Sequence, residues 1–186
     1  GLEGKRSWEK FIPESYMRGN PQQRLALLQG LLDTDGSPIE GGGVEFSSTS
    51  EHLVDSVIEL AQSLGGIGRK SESRITQHQG GDGRPSWRVN VKLCSEMNPF
   101  RLKRKLDKWQ RPTKYPVIRK MVSAEVVGVE QSTCIKVAAT DSLYLTRNYV
   151  VTHNTSVTLT SIAHLIDTGY LNAVVIVAPI RVCRLV

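Results

Sequence analysis

The sequence predicts an α+β protein built from three successive parts, and three observations support this prediction. Residues 1–112 alternate helical and strand-like hydrophobic patterns and end in a basic segment. Within the second part, residues 113–154, residues 117–137 are rich in Val and Ile with short polar breaks, which is typical of consecutive β-strands. Residues 155–186 have the pattern of a helix followed by one continuous apolar strand, as in a buried parallel sheet, which predicts an α/β fragment.

Composition indicates a soluble globular chain with no membrane partner. Hydrophobic residues make up 39% of the sequence, and no apolar run reaches the length that a bilayer requires. The cysteines at positions 94, 134 and 183 are widely spaced, so neither a disulfide framework nor a zinc site is indicated, and a reducing cytoplasm is expected. The first residues contain no methionine and no apolar targeting segment, which indicates part of a longer chain.

The first strong helical pattern follows Asn20 and Pro21, which favour the N-cap and the first helical position. Its apolar side is formed by Leu25, Leu28, Leu31 and Leu32. We predict that the helix runs to about Asp33 and is ended by Gly36. Because Ala26 and Gly30 are four residues apart, a second backbone could approach this side closely. The helix is therefore predicted to pack against a near copy of itself.

Two acids, Asp33 and Asp35, fall at the carboxyl end of this helix, where the helix dipole disfavours negative charge. A divalent cation would favour acids at this position. Residues 28–36, LQGLLDTDG, resemble the nine-residue motif of the LAGLIDADG homing endonucleases. The departures from that motif are Gln29, Leu32 and Thr34.

The resemblance implies half of a LAGLIDADG endonuclease fold, of the αββαββα type, in residues 1–112. It implies that two such helices pack together, and that Asp35 is the catalytic acid that binds Mg²⁺ at the centre of the site. Asp33 is expected to cap or hydrogen-bond rather than to coordinate. Lys10, in a Lys-x-Ile-Pro block, resembles the family lysine that helps activate water or balance charge. An ordinary surface lysine is the alternative.

A strand at 43–48, a helix at 51–64, an extended segment at 67–79 and a strand at 86–95 are predicted next. The last strand has an apolar face and an opposite face formed by Arg88, Asn90 and Lys92. Such a sheet suits the major groove of double-stranded DNA, where Arg and Asn contact base edges. The alternative is an ordinary sheet with one face in solvent.

Basicity is concentrated between positions 101 and 120, which hold nine basic residues and one acid, a local charge of +8 within a net charge of +6. A local excess of this kind is typical of a nucleic-acid partner, and a solvated helix face is the alternative. We predict a basic helix over 99–110. Its residues expected to bind DNA phosphates are Arg101, Lys103, Arg104 and Lys105.

The chain holds a possible cleavage boundary between Asn154 and Thr155. The Asn154 side-chain amide can attack its own main-chain carbonyl, form a succinimide and release the following segment. His153 can donate a proton to the leaving amine, and the Thr155 hydroxyl can hold an ester. The alternative is a simple turn, which Asn and Thr also favour.

Residues 134–137, 141–146 and 148–154, followed by Thr155, resemble the C-terminal splicing blocks of inteins. The resemblance implies all-β strands of a Hint-type splicing domain in residues 113–154, with no cofactor for splicing. Cys134 lies where the family places an Asp or Cys that assists splicing or, in one class, forms the first ester. Thr152 is compatible with that class.

Residues 155–186 resemble the segment after the phosphate loop of Swi/Snf-like superfamily-two helicases. The resemblance implies that Thr155 would bind the magnesium of ATP only in the spliced host helicase. Together these features predict the C-terminal part of an intein with a homing endonuclease half, in the cytoplasm of a bacterial or phage-infected cell. Its partners would be double-stranded DNA and the other endonuclease half, from the same precursor or from a homodimer. The alternatives are a stand-alone dimeric endonuclease with a single motif and a non-catalytic DNA-binding remnant.

Overall fold

The computed structural model of the chain describes residues 2–78, 81–111, 117–119 and 137–153. The chain divides into two compact units after Val117, and each unit is described by itself. The predictions for Cys134, Asn154 and Thr155, and for the helix and strand of residues 155–186, lie outside the described residues. No helix in the described part of the chain is long and apolar enough to cross a membrane.

The first unit alternates helices with strands. In chain order the elements are α1 (Glu14–Met17), α2 (Pro21–Asp35), β1 (Gly36–Pro38), β2 (Val44–Ser48), α3 (Glu51–Ser63), β3 (Ile67–Lys70), β4 (Arg74–His78), β5 (Gly81–Lys92) and α4 (Lys103–Leu106), with 3₁₀ turns at Ser7–Glu9 and Glu40–Gly42. The predicted strand at 43–48 and the predicted helix at 51–64 are confirmed to within a residue at each end.

Helix α2 begins and ends where local chemistry requires. The Asn20 side chain accepts a hydrogen bond from the Gln23 backbone N–H at 2.9 Å, and the Gln23 side chain accepts one from the Asn20 N–H at 3.0 Å, which completes a capping box. At the other end Gly36 turns directly into β1. A Cβ atom on Gly36 would lie 2.5 Å from the Leu32 carbonyl oxygen, so only glycine fits. The predicted stop at Gly36 is confirmed.

The sheet is antiparallel, with strand order β1-β2-β5-β3. Strand β5 is its longest member. Strand β3 pairs with the carboxyl-terminal half of β5, and β4 pairs with the amino-terminal half. Helices α2 and α3 pack against the sheet. The core includes Leu28, Leu32, Val44, Phe46, Val54, Val57, Leu60, Val89, Val91 and Phe100. Alternation along β5 therefore leaves Arg88 and Asn90 exposed on the face away from the core.

The predicted basic helix over 99–110 is wrong, since only the four residues of α4 are helical. The backbone N–H groups of Arg101 and Leu102 donate instead to the Asp33 carboxylate. Farther on, the Trp109 indole donates to the Gly42 carbonyl at 2.9 Å. Residues 98–111, here called the basic segment, thus lie against α2 and the β1–β2 connection as an irregular strap.

In the second unit, β6 (Leu143–Leu145) and β7 (Val151–His153) form an antiparallel hairpin. The connection includes a 3₁₀ turn at Arg147–Tyr149 in which Asn148 has a φ of 62°, a conformation that asparagine tolerates better than most residues. The Arg119 guanidinium donates to the Asn148 carbonyl at 2.8 Å. The run of strands predicted over 117–137 lies largely outside the described residues and stays a prediction.

Candidate active site and nucleic-acid interface

The two acids at the end of α2 occupy different environments. The Asp33 carboxylate accepts hydrogen bonds from the Arg101 and Leu102 N–H groups at 3.2 to 3.3 Å. Its predicted hydrogen-bonding role is confirmed. Asp35, the last residue of α2, is exposed, and its carboxylate accepts a 3.3 Å hydrogen bond from the Thr34 hydroxyl. Asp35 is therefore the acid of this pair that presents oxygen atoms to an approaching ligand.

A metal ion at Asp35 would need further ligands. Within the described ranges there is no group of three or more His, Cys, Asp or Glu side chains that could hold a metal. Mg²⁺ is commonly held by one or two carboxylates together with substrate phosphates and water. One exposed carboxylate at the end of a helix fits that chemistry as one half of a shared site.

Lys10 lies at the same end of β2 as Asp35. The Lys10 carbonyl accepts a 2.6 Å hydrogen bond from the hydroxyl of Ser50, two residues beyond β2. Asp35 immediately precedes Gly36, which pairs with Phe46 in the second half of β2. The Lys10 side chain is exposed at this position. Its part in catalysis stays a prediction.

Lys105 does not lie on the basic surface where the sequence predicts it. Its side chain is 9% exposed, and its ammonium donates to the carbonyls of Leu32 at 3.0 Å, Thr34 at 3.4 Å and Gly36. Burial lowers the pKa of this ammonium and the neighbouring Arg104 charge lowers it further, while Asp33 and Asp35 oppose the change. Lys105 therefore binds the carbonyls at the end of α2 and is not available for the contact with DNA phosphates that the sequence predicts.

The other basic candidates in this segment are exposed. Arg101 is oriented by Gln29, whose side-chain oxygen accepts from its Nε at 2.9 Å. Gln29, one of the departures from the motif, also donates to the Asn98 carbonyl at 2.8 Å. Lys103 pairs with Asp107 at 3.3 Å, and Arg104 is exposed. Gln29 thus joins α2 to the basic segment and limits the freedom of Arg101.

Arg69 lies on the open face of the sheet, where the sequence does not predict it. Arg88 and Asn90 are exposed on this face and Lys92 is half-buried. The register of β3 on β5 sets Arg69 opposite Asn90. Arg88 lies 3.6 Å from the Glu45 carboxylate on β2. The segment 67–79 is polar on both sides, so only the register reveals which of its residues share this face.

Lys70, the neighbour of Arg69, points to the helix side of the sheet. Its ammonium contacts Glu51 at 2.6 Å and Asp55 at 2.9 Å on α3. Burial alone would lower the pKa of Lys70, but hydrogen bonds and attraction from these two carboxylates raise it above its usual value. Two adjacent cations therefore face different environments.

At the predicted cleavage boundary, the hairpin register pairs His153 with Leu143 and Thr152 with Tyr144. Thr152 is half-buried. His153 is the last residue of β7 and directly precedes Asn154. The backbone on the amino side of the boundary is therefore held in a two-stranded ladder.

Comparison with known proteins matches this chain to a family model and, among other proteins, to a helicase. Residues 22–105 match the family model of a LAGLIDADG-like domain. The chain is also 35% identical over 155 residues to the replicative DNA helicase DnaB of Mycobacterium intracellulare, a match that covers 81% of this chain and 26% of that protein. The chain thus carries a LAGLIDADG-like domain and spans about a quarter of the length of a helicase relative.

Proposed function

We propose that residues 22–105 form one half of a homing endonuclease that binds and cleaves double-stranded DNA. The observation that carries this proposal is the exposed Asp35 carboxylate at the end of α2, within a LAGLIDADG-like domain. When bound there with a partner acid, Mg²⁺ supplies Lewis-acid chemistry and an activated water for phosphodiester hydrolysis. The Asp35 carboxylate would hold the metal ion, while the open face of the sheet would hold the DNA.

The open face of the sheet fits the major groove. Arg69 and Arg88 offer charge, and Asn90 offers an amide that can pair with adenine. Charge on the exposed part of the basic segment would add affinity that is independent of sequence. The nuclease half therefore gains specificity from the sheet and affinity from both surfaces.

Arg69→Ala is expected to weaken binding of double-stranded DNA and to reduce the salt dependence of affinity by about one phosphate contact, because it removes a cation from the DNA-facing surface. Lys70→Ala is the matched control. It removes a neighbouring cation that pairs with α3, so it should lower stability slightly and leave affinity unchanged. Fluorescence anisotropy across a salt series measures both. Equal losses of affinity for the two variants would contradict the assignment of the DNA-facing side.

Pairing with a second endonuclease half is proposed to use the side of α2 that contains Ala26 and Gly30. Gly30 is exposed, and a Cβ atom there would meet no atom within 4 Å in this chain. Leu27 and Leu31 are only half-buried, so α2 keeps apolar surface that its own sheet does not cover. A second helix could approach closely at Gly30.

Gly30→Leu is therefore expected to abolish self-association without unfolding the chain, because the new side chain blocks helix approach but clashes with nothing in its own unit. Gly30→Ala, which stays small, is the matched control and should still dimerise. Sedimentation velocity gives the association state and thermal unfolding gives the stability. A Gly30→Leu dimer as tight as wild type would contradict this interface, and a wild-type monomer at high concentration would contradict the homodimer.

We further propose that residues 113–154 close a protein-splicing element inserted in a DNA helicase. The hairpin of β6 and β7 would hold His153 beside the bond after Asn154. The Asn154 side-chain nitrogen then bonds to its own main-chain carbonyl carbon and loses a proton to solvent. The bond to the Thr155 nitrogen breaks, and the amine of Thr155 leaves with a proton from His153. The similarity to a DnaB helicase supports a helicase host. The narrower Swi/Snf-like assignment is a separate prediction from residues 155–186.

The stand-alone dimeric endonuclease is the second candidate, and the open surface around Gly30 is the observation that favours it. It predicts that the chain alone cuts DNA as a dimer. A DNA-binding remnant would instead bind in the same salt-dependent way and cut under no condition. Cleavage by the chain alone and by its full precursor separates these outcomes.

A further inference from the structure

Lys105 is a buried cation whose ammonium, within the described part of the chain, donates its hydrogen bonds to backbone carbonyls rather than to carboxylates. All three acceptors are backbone carbonyls at the end of α2, from Leu32, Thr34 and Gly36. These carbonyls bracket Asp35 in the sequence. The ammonium therefore contacts the backbone on both sides of the acid proposed to bind the metal.

This end of α2 concentrates negative charge. The final carbonyls carry the negative pole of the helix dipole, and Asp33 and Asp35 add two carboxylates. Asp33 is partly offset by two backbone N–H groups, whereas Asp35 is exposed and, among the described residues, accepts a hydrogen bond from the Thr34 hydroxyl alone. A cation at this position therefore offsets charge that the helix dipole disfavours.

We propose that Lys105 is a positioning residue that fixes the backbone around Asp35 and offsets its charge before a metal ion and DNA arrive. The proposal rests on the proposed function of Asp35 as a metal ligand. Lys105 is well suited to this role because its own segment is anchored on both sides. Asp33 holds the preceding Arg101–Leu102 backbone, and Trp109 Nε1 donates to the Gly42 carbonyl beyond it.

Lys103 and Lys105 have different surroundings although they lie on the same helix. It lies two residues away on the same short helix, but its side chain is exposed and pairs with Asp107. Lys103 is therefore the matched control for charge removal. Its loss should affect DNA affinity, whereas loss of Lys105 should affect the acid.

The first test is a double-mutant cycle in EDTA without DNA, using Lys105→Met and Asp35→Asn. Lys105→Met is expected to lower the folding equilibrium constant about tenfold more in wild type than in the Asp35→Asn background, because only wild type retains the Asp35 charge that Lys105 is proposed to offset. Lys103→Met should show no such difference. If Lys105→Met does not fold, Lys105→Gln, which keeps N–H donors but no charge, takes its place. Equal losses in both backgrounds would overturn the proposal.

The second test separates turnover from binding in the full precursor. With saturating Mg²⁺ and DNA, Lys105→Gln is expected to lower kcat by about tenfold to a hundredfold with little change in the Kd for DNA. Lys70→Gln, which removes a cation that pairs with Glu51 and Asp55 on α3, should leave both kcat and the Kd for DNA unchanged. A wild-type kcat in Lys105→Gln would overturn the positioning role. A wild-type precursor that never cuts would instead overturn the endonuclease function, while the cycle in EDTA would still measure the coupling of Lys105 to Asp35.

Discussion

Asn154→Ala is expected to abolish release of residues 155–186 from the chain during incubation at mild pH. The proposed nucleophile is the Asn154 side-chain amide, and its attack is effective because the amide and carbonyl belong to the same residue. Alanine offers no nucleophile, so release should fall at least about a thousandfold. Intact-mass measurement over time gives the amounts of both products. The amino-terminal product from wild type should end in a succinimide, which is lighter than the free acid by a water molecule.

Asn148→Gly provides a control for this prediction. Glycine accepts the positive φ of position 148 and removes an asparagine amide from the same hairpin connection. Release should therefore continue in Asn148→Gly at close to the wild-type rate. A wild-type chain that releases nothing, or an Asn154→Ala chain that releases as much as wild type, would contradict asparagine cyclisation at this boundary.

Asp35→Asn is expected to lower the rate of DNA cleavage on the order of a thousandfold while DNA affinity changes little. The amide keeps the size of the carboxylate but removes the charge that holds a divalent cation. DNA binding should persist, because the residues proposed to contact DNA lie on the open face of the sheet and in the basic segment and do not include Asp35. A single-turnover cleavage assay with the full precursor gives the rate, and anisotropy gives the affinity.

Two other acids define the specificity of this result. Asp107→Asn removes an exposed carboxylate from the basic segment and should leave cleavage unchanged. Asp33→Asn weakens the acceptor for the Arg101 and Leu102 N–H groups, so it should mainly lower stability. If Asp35→Asn cut as fast as wild type, or if Asp107→Asn lost as much activity, Asp35 would not be the metal ligand.

Local chemistry was sufficient to predict most of α2. The Asn20 cap, Pro21 and the glycine stop all act within a few residues of the helix ends, and the structure confirms them. The hydrogen-bonding role of Asp33 was also predictable, since the nine-residue motif implies it, whereas the metal role of Asp35 stays a prediction. Sequence reasoning succeeds here because the determining contacts are short in range or belong to a motif.

Lys105 was misplaced because its environment depends on contacts about seventy residues away along the chain. A run of basic residues resembles a solvated, DNA-facing helix, and the buried member carries no signature of its own. Residues 98–102 are not helical because Asn98 and Arg101 hydrogen-bond through their backbone to Gln29 and Asp33. The local sequence pattern does not reveal these contacts. The position of a buried cation is a tertiary property.

Arg69 illustrates a similar limit in the sheet. Arg69 and Lys70 are adjacent cations in a segment that is polar on both sides, so their directions depend on the register of β3 with β5. A shift by one residue would exchange the two. The alternation of β5 was predictable because its apolar residues form the core, but β3 offers no comparable pattern.

The most direct test of the endonuclease proposal is cleavage of linear double-stranded DNA that carries the uninterrupted helicase gene, by the full precursor, with Mg²⁺ or with EDTA. The proposal predicts a double-strand break close to the Thr155 codon, at the point where the uninterrupted gene lacks the splicing element, formed only with Mg²⁺. No break in the presence of Mg²⁺, or a break that persists in EDTA, would contradict it.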